Sequence, residues 1–161
     1  MNHRTTAILR DERDLLWIVL DDVRRRGGDL VHDVHFLART SPSEPPEPFL
    51  STFGHREPTA AFDSLLEDLG HAVAGGVRAL RHDPINAGLS LELKSRPEEG
   101  GDAMFEVTAW LSLVRMNQAM KARAVRGRHQ SGLRMMITRA GLEAFRSELI
   151  ALTEGPVFDA E

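Results

Sequence analysis

Between Leu89 and Lys94 apolar and polar residues alternate, with Leu89, Leu91 and Leu93 on one side and Ser90, Glu92 and Lys94 on the other. This period of two predicts a strand with one buried face. A shift of 73 positions places Leu16, Ile18 and Leu20 on the three leucines, Asp33 on Glu106 and Val34 on Val107. The same shift superimposes Gly27-Gly28-Asp29 on Gly100-Gly101-Asp102, each followed by a further apolar stretch. Each half of the chain therefore predicts a hairpin around a Gly-Gly-Asp turn.

A helical period follows each hairpin. Phe62, Ser64, Leu66 and Leu69 line up with Phe145, Ser147, Leu149 and Leu152 at a shift of 83. The first helix is expected to open at Pro58-Thr59 with Thr59 as its cap, to carry Phe62, Leu65, Leu66, Leu69 and Val73 inward, and to end at Gly75-Gly76. The second is expected to be capped by Thr138, to bury Leu142, Phe145, Leu149 and Leu152, and to stop at Gly155-Pro156. Pro48 to Phe53 and Leu133 to Ile137 supply a third strand in each half. The expected fold is α+β: an antiparallel sheet built from two βββα pseudo-repeats, with the helices packed on one face. A single domain is expected over 1–161, with pseudo-repeats at about 14–75 and 88–154 and a frayed tail at 155–161.

Asp11 to Arg26 admits a second reading, because acids at its start, Arg24-Arg25-Arg26 at its end and Gly27 as a stop also suit a helix. Strand is preferred, since Leu15 to Leu20 is apolar on every side and contains β-branched residues. Ser41 to Pro48, with four prolines, reads as a loop, and Met116 to Gln130 has no clear period; both are expected to be mobile.

Composition narrows the chemistry. The 161 residues are 42% hydrophobic and 27% charged, the balance of a globular protein. With no Cys and no Tyr, disulfides, thiolate metal sites, Cys nucleophiles and Tyr acids are excluded. No apolar run reaches the roughly 18 residues of a membrane span, and Met1 to Arg10 lacks the layout of a signal peptide, so a cytoplasmic protein is expected. The basic residues are Arg except for Lys94 and Lys121, in keeping with a GC-rich bacterial genome.

The net charge of −4 is unevenly spread. Residues 107–142 contain no Asp or Glu and carry Arg115, Lys121, Arg123, Arg126, Arg128, Arg134 and Arg139, so that window is +7 and the rest −11. The basic patch from Arg115 to Arg134 fits an acidic protein surface or the acidic face of a second copy. Nucleic acid is the alternative partner, weakened by the overall negative charge and by the lack of any aromatic residue between Trp110 and Phe145 to stack on bases.

Alternation assigns Leu15, Trp17, Val19, Asp33, His35, Leu37, Glu106, Thr108 and Trp110 to the sheet face away from the helices. Both tryptophans fall there. Trp17, His35, Leu37 and Trp110 are the candidate partner-binding residues, since exposed aromatic patches mark interfaces; the competing reading has the 116–130 segment or the N-terminus cover them. His32 and His35 point to opposite faces of a strand and cannot share a metal, so no metal site is expected. His82-Asp83-Pro84 and Gly54-His55 read as loops. The sequence contains no phosphate loop, zinc-protease helix or nucleophile elbow. No cofactor and no catalytic residue are assigned. A non-enzymatic protein-binding module, homo-oligomeric or with another protein partner, is the expected function; a small-ligand binder or enzyme with a pocket between sheet and helices is the third class.

The closing unit Gly132 to Leu152, Gly-Leu-Arg-Met-Met-Ile-Thr-Arg-Ala-Gly-Leu-Glu-Ala-Phe-Arg-Ser-Glu-Leu-Ile-Ala-Leu, resembles small actinobacterial proteins of uncharacterised function. More distantly it is similar to immunity proteins of the WapI type. The resemblance covers the strand-helix layout rather than particular residues. It implies a non-enzymatic, antitoxin-like protein that binds and neutralises a toxin, and it transfers no site residue.

Overall fold

A computed structural model describes residues 6–83, 89–96, 103–112 and 130–154. The first half runs β1 (Ala7–Arg10), β2 (Leu16–Arg26), β3 (Asp29–Ala38), β4 (Glu47–Pro58) and α1 (Thr59–Val73). The second runs β5 (Ala79–His82), β6 (Leu89–Arg96), β7 (Met104–Ser112), β8 (Gln130–Thr138) and α2 (Arg139–Thr153). The architecture is α+β, with two antiparallel sheets in the orders β1-β2-β3-β4 and β5-β6-β7-β8. Each half has one strand more than the alternation of the sequence suggests. β1 and β5 are short, and four residues are too few to display a period.

Residues 16–26 are strand. The acids at 11–14 build the β1–β2 turn instead of a helix start: Asp11 accepts the backbone N–H of Leu15 and Leu16, and Asp14 accepts the Trp17 indole N–H at 2.8 Å. The two-residue Gly27-Gly28 turn joins β2 to β3, with Arg26 opposite Asp29. The matching Gly100–Asp102 turn lies outside the described residues.

The strand match at a shift of 73 is one of register as well as pattern. Leu20 pairs with Ala7 in the first half and Leu93 with Leu80 in the second; Ile18 pairs with Leu9, and Leu91 with His82. The helices, however, correspond at a shift of 80 and not 83. α1 buries Phe62, Leu65 and Leu69, while α2 buries Leu142, Phe145 and Leu149, each set at the same distance from its helix start. The sequence match was one turn out of step, because apolar residues recur every three to four positions and a slip of three still aligns Leu with Leu and Phe with Phe.

The two helix starts differ. Thr138 caps α2, its hydroxyl accepting the Gly141 N–H at 3.0 Å, and Thr138→Ala should cost about 1 kcal/mol in urea unfolding with the slope unchanged. Thr59 is not a cap. It is the first residue of α1, preceded by Pro58, and both its backbone N–H and its hydroxyl donate to the Gly28 carbonyl, tying the helix to the β2–β3 turn.

Each helix reaches across to the opposite half: α1 packs on β3 and β4 but also on β5, and α2 on β8 but also on β1. The Ile8 N–H donates to Glu148 of α2, and the Glu12 N–H to the Met136 carbonyl of β8 at 2.7 Å. Between the helices Arg146 donates to the Leu66 carbonyl. The shift of 80 carries residue 66 onto residue 146, so that contact maps onto itself and marks a pseudo-two-fold axis. Apolar residues of both sheets and both helices merge in one core, among them Phe36, Phe62, Phe105 and Phe145.

Candidate functional site

β-Bulges decide what faces the core in the first half. Register slips by one between Asp21 and Arg24 in β2, and again beside His32 and Val34, where β4 carries the extra residue. At the second slip Gly54 has φ 66° and donates its N–H to the Asp33 carboxylate at 2.8 Å. A β-carbon there is strained, which is why glycine occupies it. The extra residue lets Thr52 and His55, three apart, both point inward; the Thr52 hydroxyl meets His55 Nε2, and Phe53 is pushed outside. No slip interrupts the pairings of β5 to β8.

The outcome is a polar cluster inside an otherwise apolar core, formed by His32 of β3, His55 and Glu57 of β4 and His82 of β5, all buried. Glu57, 5% exposed, accepts from His82 Nε2 with one oxygen, and its other oxygen lies 3.5 Å from His32 Nε2. The His32 ring stands 5.7 Å from His55 and 6.5 Å from Phe62 of α1. Burial pushes the Glu57 carboxyl up, but the contacts and charges of His32 and His82 outweigh it and hold the group below the usual carboxylate value. The placement of His55 and His82 in loops is thus corrected: both are strand residues with buried side chains. Among the described residues no group of three or more ligands is arranged to hold a metal ion. Two signals in the sequence point to the cluster. Gly54 marks the bulge that turns His55 inward, and the shift of 73 sets His32 and His82 against Phe105 and Leu9.

On the outer side of the first sheet, Trp17 and Leu37 are cross-strand neighbours, with His35 two residues along on the same face. Trp17 is half-buried, with the guanidinium groups of Arg10 and Arg39 at 4.7 and 5.4 Å from its ring. His35 Nδ1 is 2.8 Å from the Ser51 hydroxyl, and its ring meets Phe53 edge-on at 5.5 Å. Three of the four predicted partner-binding residues therefore form one stripe. Trp110 belongs to the other sheet, half-buried beside Gly132, where an added β-carbon would come within 3.1 Å of the indole.

Phe49 and Phe53, which no period of the sequence assigns to the outer face, are 54% and 66% exposed and are the large hydrophobic side chains left open among the described residues. Phe53 extends the stripe beyond His35; Phe49 lies beside a second slip of β4 and leans on Phe36. Of the basic patch, Arg115, Lys121, Arg123, Arg126 and Arg128 lie outside the described residues. Arg134 is exposed on β8, 3.9 Å from Glu106. Arg96 hydrogen-bonds the same carboxylate at 2.9 Å and holds it below its usual value, with Arg134 and Lys94 adding to the effect. A groove of about 610 Å³ opens where the sheets meet, with Leu15, Leu16, Met135 and Met136 among its walls and Arg39, Glu106 and Arg134 at its polar positions.

The class defined by this geometry is an α+β protein of two intertwined ββββα halves with an aromatic outer stripe and a buried His-Glu cluster. No family model, curated protein or solved structure matches the chain. No helix of the described residues is long and apolar enough to cross a membrane.

Proposed function

We propose that the protein is a non-enzymatic, cytoplasmic binding module whose contact face is the outer stripe of the first sheet, taking a protein partner or a second copy of the chain. The observation that carries this reading is Phe53, two-thirds exposed and continuous with His35, Leu37 and Trp17. Large aromatic side chains set among partly buried apolar and polar neighbours have the make-up of an interface centre. Arg10 and Arg39, stacked on Trp17, supply the polar rim.

The mode of contact is face to face rather than strand addition. Pro45 and Pro46 precede β4 and Pro48 is its second residue, and prolines at a sheet edge withhold the N–H groups that a new strand needs. An antitoxin-like role is one form of this reading. Phe53→Ser should leave the unfolding free energy within about 0.5 kcal/mol of wild type, because the side chain is already in water, while weakening the complex by about 2 kcal/mol, or thirtyfold. Sedimentation of the two proteins checks self-association, and isolation of bound protein from native lysate checks a different partner. A wild type that stays monomeric at high concentration and retains nothing that Phe53→Ser loses removes the proposal.

A further inference from the structure

The two junctions between the halves are equivalent under the internal repeat and chemically unlike. Where β1 meets β8 the equivalent positions hold Leu9, Phe105 and Ile137, all buried hydrocarbon. Where β4 meets β5 they hold His82, His32 and Glu57. The fold fills the three equivalent core positions of one junction with hydrocarbon, the nearby carboxylate of Glu148 being half-buried and engaged by the Ile8 N–H, so packing alone does not require ionisable groups at the other. Hydrocarbon of similar volume is commonly as stable as a buried ionic set, or more so.

We propose that His32, Glu57 and His82 form an acid-sensitive latch between the halves, which releases β5 from β4 on proton uptake while the β1–β8 junction stays closed. Proton uptake by Glu57 removes the negative charge that faces both imidazoles and weakens the acceptor that holds His82, in a buried site where the loss is poorly compensated. Glu57 is the one carboxylate buried among the described residues, so no second anion is at hand to balance it. Around it α1 presents Phe62 and Leu65, while Asp63, Glu67 and His71 of that helix are exposed and Asp68 is half-buried. On β3 and β4, Asp29 pairs with Arg56 at 3.2 Å, and His55 is engaged with Thr52. On β5 and its neighbour, Arg81 pairs with Asp83 at 3.0 Å, and β6 offers Leu91 and Leu93.

The sign follows from Glu57. A carboxyl held below its unfolded value adds stability above the ordinary carboxylate range and loses it as pH falls through the folded value, so acid loosens the latch.

Hydrogen exchange of the intact chain between about pH 7 and pH 3, corrected for intrinsic rates, tests the proposal through the amides of β5 against those of β1 other than Ile8, whose N–H is held by Glu148. Wild-type β5 is expected to lose protection by about tenfold or more relative to β1 as the pH falls through and below the ordinary carboxylate range. In H32F/E57I/H82L, which copies the residues of the other junction, and in E57Q, which has no carboxylate to protonate, that loss should be absent; E57Q decides the matter if the triple replacement does not fold. Equal losses at β1 and β5 in wild type, or a triple variant or E57Q that tracks wild type, would each overturn the latch.

Discussion

Glu57→Ala is expected to destabilise the protein by about 3–5 kcal/mol at neutral pH, the range found when one partner of a buried ion pair is removed. The carboxylate accepts from His82 with one oxygen and faces His32 with the other, and both imidazoles are buried. Each buried group left unmatched costs about 1–3 kcal/mol. The lost side chain also leaves a void beneath α1, which its neighbours fill only in part. Urea unfolding should show the midpoint falling with little change in slope. A loss below about 1 kcal/mol would mean that the imidazoles find other partners, and that the cluster is looser than its distances indicate.

The second large effect separates two phenylalanines on neighbouring elements of the first half. Phe62→Ala should cost about 3–5 kcal/mol, since the ring is 1% exposed, sits among the apolar residues of the core and lies against His32. The same loss of a benzyl group at Phe53, 66% exposed, should scarcely alter stability. Thermal unfolding of both variants reads the contrast directly. Should Phe53→Ala prove as damaging as Phe62→Ala, the outer stripe would be part of the core, covered by another segment, and no longer available to a partner.

Much of the fold is legible in the order of residues, for a local reason. Alternation along β3, β6 and β7, the apolar run of β2 and the helical period of α1 and α2 are set by which side chains must leave water, and the internal repeat states the pattern twice. The outer face could be read the same way, which is why Trp17, His35 and Leu37 were found together. Phe53 escaped because a bulge breaks the rule that assigns faces. Counting by twos through Gly54 puts His55 beside Phe53, whereas the extra residue turns one inward and the other outward. The meeting of Glu57 with His82 escaped for another reason: the two residues are 25 positions apart and belong to different sheets, so no local period relates them.

Composition and local pattern carry the α+β class, the duplication, the helix spans, the Thr138 cap and a chemistry without thiols or phenols, and they favour strand over helix for 16–26. Each follows from neighbours within one element or from composition. Packing in three dimensions sets the rest: the helices correspond at a shift of 80, each half lends its first strand to the other's helix, and one junction has a hydrocarbon centre while its twin has histidine and glutamate. Those are facts about elements distant in the chain, fixed by shared burial around a common core rather than by local pattern.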